Sequence, residues 1–240
     1  MESKKKVLPH LPFFLLVVTL ITSVHASITV QAQIDQDIHV AFDLENINST
    51  IYWMIKNENL ITESTIPNII QENLEQQNLN NVDFFTQPIV FSDPSSSIHI
   101  AFSLTGSDIL NFTVDTKSMT KTCHVRTDWR KFEVNLTNDF SLNFTEYFGR
   151  PVENWQRINY TLDAKTHPAF YHDVADLETF DPKFYFLLPV AATNVEAIED
   201  IIVFKLSLPL GDSLLNSPFL ILGALTVANI ALFLYRRIRK

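Results

Sequence analysis

The sequence predicts a mainly β protein: an antiparallel, sandwich-like domain with one inserted amphipathic helix and a single C-terminal transmembrane helix. Three observations predict it. Apolar and polar residues alternate along most of the chain, which is the period of a half-buried strand. Two dense apolar blocks, Leu11–Val24 and Phe219–Tyr235, stand outside that alternation. The 240 residues hold 19 Phe and 3 Trp but only 4 Gly and 1 Cys, a composition suited to a packed core rather than to a disordered or disulfide-stapled chain.

The first block follows Lys4-Lys5-Lys6 and is followed by Val24, His25 and Ala26. A basic start, a short apolar stretch and small residues one apart make a secretory signal peptide over residues 1–26, cut after Ala26. An uncleaved N-terminal anchor is the competing reading.

Strands are expected where every second residue is apolar. Ile28, Val30, Ala32 and Ile34 open the series, then Ile38, Val40 and Phe42. Ile98–Leu104, Leu110–Val114, Cys123–Trp129, Phe132–Leu136, Leu142–Phe144, Ile158–Leu162 and Ile202–Leu208 continue it. Turns are assigned to Asp93-Pro94-Ser95, Asn138-Asp139 and Asp181-Pro182, since Asp, Asn and Pro favour turn geometry without glycine. Between early and late strands, Ser64 to Leu79 carries Ile66, Ile69, Ile70 and Leu74 at helical spacing, the inserted helix. Asn194–Asp200 reads as a short helical turn and residues 163–183 as a long loop. We find no internal repeat.

At the C-terminus, Ser217-Pro218 starts a helix, and 17 uncharged residues run to Tyr235 before Arg236-Arg237-Ile238-Arg239-Lys240. That is a membrane span over residues 218–235 with a cytoplasmic tail at 236–240, oriented by its positive charges. Residues 27–212 then form an extracellular or luminal domain, joined through a linker at 213–217. Leu208-Pro209-Leu210-Gly211 resembles a sorting signal that lacks its threonine, and a lipid-anchor signal would end in apolar residues instead of four charges. Within the span, Ala224 and Ala228 lie on one face and Asn229 is polar at mid-helix, the pattern of a helix–helix contact with a second copy or a partner.

The net charge of −9 is unevenly spread. Three lysines against one glutamate in the first 26 residues, and four basic residues in the last five, leave −15 for the stretch between. Nucleic acid is excluded as a partner, because a polyanion needs a basic footprint. Five Asn-x-Thr sequons, at Asn48, Asn111, Asn135, Asn143 and Asn159, are candidate glycosylation sites,. His167, His172 and Asp173 are the candidate metal ligands, with Asp176, Glu178 and Asp181 nearby. Arg126, Trp129, Arg130 and Lys131 form the candidate binding patch, since an indole among cations suits an anionic glycan or an acidic partner. Asn154-Trp155-Gln156-Arg157 is a weaker one. Cys123 faces the apolar side of its strand, as a buried thiol.

No nucleophile elbow, phosphate loop or dinucleotide fingerprint is present, and no cofactor is expected. The expected function is therefore a non-enzymatic, membrane-anchored surface or luminal binding or assembly module. The alternatives are a tethered metal-dependent hydrolase built on His167, His172 and Asp173, and an accessory subunit of a larger membrane complex.

Overall fold

The computed structural model describes residues 26–137, 140–174 and 180–208. It is mainly β with a few helices. The leader up to His25, the linker, the span with Ala224, Ala228 and Asn229, the basic tail, and Asn138-Asp139, Asp176 and Glu178 lie outside the described residues. Among the described residues no helix is long and apolar enough to cross a membrane.

Strands β1 (Ala26–Ile34) and β2 (Ile38–Glu45) form a hairpin at the middle of an eight-stranded sheet. On the β2 side follow β5 (Ser97–Thr105) and then two short strands, β3 (Asp83–Thr86) and β4 (Val90–Ser92), both paired with β5. On the β1 side follow β12 (Phe180–Leu187), β11 (Lys165–Asp173) and β10 (Gln156–Leu162). A second sheet of four strands has the order β13 (Thr193–Ile198), β14 (Ile201–Ser207), β7 (Thr120–Arg126), β6 (Leu110–Asp115). A two-stranded ribbon joins β8 (Glu133–Thr137) to β9 (Phe140–Asn143).

The alternation in β1 and β2 is that of a sheet with one face on a core. Ile28, Val30, Ala32, Ile34, Ile38, Val40, Phe42 and Leu44 are all buried, whereas His39 and the paired outward positions are exposed or half-buried. Val125 and Cys123 of β7, Ile202 and Phe204 of β14, and Val134 and Leu142 of the ribbon belong to the same core. Phe42 lies at its centre, stacked on Phe102 at 5.9 Å and edge-on to Phe132 and Phe144 at 6.2 and 5.4 Å.

Several expectations are corrected. Antiparallel pairing holds throughout the described sheets except between β1 and β12, which run parallel. The long excursion between those strands supplies the crossover a parallel pair needs. Two helices, not one, are inserted between β2 and β3: α1 (Ser49–Asn57) and α2 (Thr65–Gln76). α1 starts at Asn48, whose side chain accepts a hydrogen bond from Thr50 N at 2.9 Å, and it buries Tyr52 and Ile55. α2 buries Ile66, Pro67, Ile70 and Leu74, the face the spacing assigned to it.

Residues 163–183 are not a long loop, because β11 occupies 165–173. The apolar residues of that strand do not alternate simply, since Ala169 and Phe170 are both buried. Its Pro168 stands just before the pairing with β12 begins, where its missing N–H breaks no ladder,. Asp163 and Ala164, both at positive φ, make the two-residue turn into it,. Asp181-Pro182 lies inside β12 rather than in a turn. The helical turn expected at 194–200 is mostly strand β13, and its left-handed residue Glu199 makes the turn to β14. The strands expected to reach Trp129 and Phe144 stop short of them. Asp128–Arg130 forms one 3₁₀ turn, and Phe144 opens the short helix α3 (Phe144–Phe148), capped by Asn143 through Glu146 N at 2.9 Å.

Candidate functional site

The outward face of the eight-stranded sheet is where polar side chains collect. At its middle, β2 and β5 carry near-identical heptapeptides. Ile38-His39-Val40-Ala41-Phe42-Asp43-Leu44 is matched by Ile98-His99-Ile100-Ala101-Phe102-Ser103-Leu104. This near-repeat corrects the reading that the chain has none. The two segments pair antiparallel with Ala41 opposite Ala101, so a local pseudo-two-fold axis passes between the alanines. Inward, both segments feed the core. Outward, each sends one histidine across the ladder. Ser103 Oγ lies 2.7 Å from His39 Nδ1, and Asp43 Oδ1 lies 2.6 Å from His99 Nδ1. The two polar rungs are four residues apart, roughly 13 Å, with only the alanine methyls between them.

Beside the His39 rung lies a shallow trough of about 130 Å³ floored by Ala41 and Ala101. Gln31 closes it on the β1 side and Gln87 beyond β5. Gln31 Nε2 donates to Tyr160 Oη at 3.3 Å. That phenol belongs to a tyrosine cluster in which Tyr185 meets Tyr160 at 5.0 Å and Tyr171 at 4.7 Å. Burial and the hydrogen bond to Asp173 push the Tyr171 hydroxyl well above its ordinary pKa. At the opposite edge Phe85 and Val90 are 60% and 57% exposed, beside Ser103 and His99. Several polar groups on the face are partnered: His39 with Asp37 at 3.1 Å, His99 with Asp43, and Lys183 with Asp181 at 2.6 Å.

Asp37, His39 and Ser103 have the order of a nucleophile relay, with the imidazole between carboxylate and hydroxyl. The chemistry stops there. Ser103 is 7% exposed and sits where β5 is paired on both sides, with His39 and with Phe85. Ladder pairing on both flanks engages the backbone of β5 around Ser103, whereas free N–H donors aimed at a reacting oxygen supply much of the rate in acyl transfer. The rung presents an imidazole and a hydroxyl side by side.

The residues singled out by sequence are placed differently. His167 and His172 are five apart on β11, hence on opposite faces,. His167 is buried, with Nδ1 2.9 Å from the Leu188 carbonyl oxygen. His172 stacks on Trp155 at 5.3 Å. Asp173 shares a face with His167 but lies roughly 20 Å along the strand, and it accepts from Tyr171 Oη at 3.0 Å. No group of three metal-ligating side chains occurs among the described residues, and these three do not converge.

Arg126, Trp129, Arg130 and Lys131 do not form an exposed patch. Trp129 is 2% exposed and packs on Phe184 and Phe186. Arg130 is fully buried. Its guanidinium donates to the carbonyls of Thr127, Phe148 and Arg150 at 2.7–3.0 Å, to Thr127 Oγ1 and to Asp200 Oδ1 at 2.7 Å. It also lies 4.9 Å from the Trp155 ring, which places that indole in the core too. Lys131 reaches the other Asp200 oxygen at 2.5 Å, and Arg126 forks onto Asp128 at 2.7 Å. Burial pushes the Asp200 carboxyl up, but the hydrogen bonds from Lys131 and Arg130 outweigh it, so the group stays below the usual carboxylate range. This cluster ties together the chain after β7, the end of α3 and the β13–β14 turn.

Cys123 is buried, and desolvation raises its thiol to about 11. Of the sequon asparagines, Asn48, Asn111, Asn135 and Asn159 are exposed and Asn143 is half-buried. None occupies an outward position of the eight-stranded sheet: Asn159 lies on the opposite face of β10 from Tyr160,. The outward rungs escaped sequence reasoning because histidines on the polar side of a strand look like ordinary solvent-facing residues. The heptapeptide match was the signal that identifies them. Compared with known proteins, the chain matches no family model, no curated protein and no solved structure.

Proposed function

We propose that this protein is a single-pass, membrane-anchored binding module whose sandwich-like domain engages its ligand through the outward face of the eight-stranded sheet. The observation that carries the reading is that this broad face bears a polar, alanine-floored trough and none of the five sequons. Sequon glycans would project away from its outward side chains, and around the trough Gln31, Gln33, His39, Ala41 and Ala101 are at least partly exposed to a ligand,. The anchor is the apolar stretch Phe219–Tyr235 with its basic tail, and the leader ends at Ala26. Scattered ligands at His167, His172 and Asp173 give no support to hydrolysis by a metal.

Membrane extraction and terminal sequencing test the tether. The mature chain is expected to start at Ser27, to resist carbonate extraction, and to expose its β domain to protease on the outer side only. Release by carbonate, or a β domain protected on that side, contradicts the proposal.

A further inference from the structure

We infer that the trough over Ala41 and Ala101, beside the His39 rung, is a binding subsite for one neutral pyranose ring, an inference that rests on the binding-module reading above. Its floor consists of the Ala41 and Ala101 methyls, and the C–H face of a sugar ring is the apolar surface that such a floor accepts. Along one wall stands the His39 imidazole, met by the Ser103 hydroxyl at 2.7 Å. Amides close both ends, at Gln31 and Gln87. Amide, imidazole and hydroxyl groups each offer donors and acceptors, which is what ring hydroxyls require, since every sugar hydroxyl both donates and accepts.

Charge points the same way. Between leader and tail the chain carries −15, yet no carboxylate lines the trough. No lysine or arginine lines it. A cation finds no carboxylate in its lining, and an anion finds no guanidinium or ammonium. Size restricts the ligand further. At about 130 Å³ the trough is well below the roughly 300–1,000 Å³ of a drug-sized pocket. It therefore holds one ring, with affinity expected near the millimolar end of the scale. Its position next to the tyrosine cluster and the exposed Phe85 lets a longer glycan continue across the face.

The test uses the full-length protein in lipid nanodiscs and a panel of methyl glycosides of glucose, galactose, mannose and N-acetylglucosamine. Binding is read by saturation-transfer NMR. At least one glycoside is expected to bind with its C–H face receiving the strongest transfer. Ala101→Leu, which fills the floor, is expected to weaken it by about tenfold or more. Gln87→Ala, at an exposed rim position where folding is not at stake, is expected to weaken it severalfold. A glycan array then separates glycoprotein glycans from cell-envelope polysaccharide as the natural source.

Absence of transfer to every glycoside overturns the inference, as does binding that both variants leave unchanged. A protein partner captured on this face with no glycoside bound also overturns it, while leaving the binding-module reading intact. Loss of both glycoside and partner binding removes the two together.

Discussion

Ala41 of β2 stands directly opposite Ala101 of β5, at the centre of two heptapeptides that agree at five of seven positions. One antiparallel ladder thereby places two aromatic anchors, Phe42 and Phe102, in the core and two histidine rungs on the outer face.

That arrangement predicts opposite outcomes at alternate positions. Phe42→Ala removes a ring in contact with Phe102, Phe132 and Phe144 and is expected to cost about 3–5 kcal/mol. His99→Gln, on the outer face of the same ladder, is expected to cost less than about 1 kcal/mol. Urea denaturation of the two variants checks the contrast. Similar losses would show that the outer face is packed as tightly as the inner one.

The Arg130–Asp200 pair predicts a strong and asymmetric effect. Removing the carboxylate with Asp200→Ala leaves a fully buried guanidinium with a charge unmatched, and about 3–5 kcal/mol is expected to be lost. Because the folded-state pKa of Asp200 is depressed, its contribution is complete above the unfolded carboxylate value, about 3.9. It declines as pH falls below that value and is gone once pH passes through the lower folded pKa. Denaturation curves of Asp200→Asn are expected to lose that part of the acid dependence.

His172 predicts a second step at higher pH. Burial between Phe148 and Trp155, with Arg150 nearby, lowers its pKa below 6.5. A histidine held neutral in the folded state contributes stability above the unfolded value, about 6.5, and loses it as pH falls through the lower folded value. NMR titration is expected to place His172 below 6.5, and His172→Phe to flatten stability between that value and the carboxylate range. Titration at or above 6.5 would contradict the buried stacking.

Two nucleophiles are expected to be silent. Cys123, with its thiol raised to about 11, should resist iodoacetamide at neutral pH until the chain unfolds, and should give no disulfide dimer on non-reducing gels. Ser103 should not be labelled by fluorophosphonate probes, for lack of oxyanion donors. Stoichiometric labelling of Ser103 in the folded protein would reopen an enzymatic reading built on Asp37 and His39.

Much of the fold was legible in period alone, because β1, β2 and β5 each have one face on the core and one in solvent. Where that condition fails, so does the reading. β11 buries the consecutive residues Ala169 and Phe170, and it passed for a loop. α1 was hidden behind its sequon, although Asn48 caps it and Ile51, Tyr52 and Ile55 have helical spacing. The basic cluster failed for a different reason. Sequence shows that Arg126, Arg130 and Lys131 are near one another, but Asp200, some seventy residues away, is what pairs with two of them, the buried Arg130 and the half-buried Lys131. The outward trough depends on a pairing between residues 39–43 and 99–103, a long-range register that one strand by itself does not announce.

The proposal that the open sheet face is the binding face is tested most directly by blocking it. Val90 is exposed at the rim beside His99, and the chain's own cysteine is buried, so Val90→Cys offers one reactive thiol for a bulky maleimide polymer. Thr113→Cys on β6 places the same polymer on the other sheet. With the full-length protein in nanodiscs, retention of its ligand from a cell-surface extract is the quantity measured. Loss of retention with the polymer at 90 and full retention with it at 113 is the predicted result. Retention unchanged by the polymer at 90 contradicts the account.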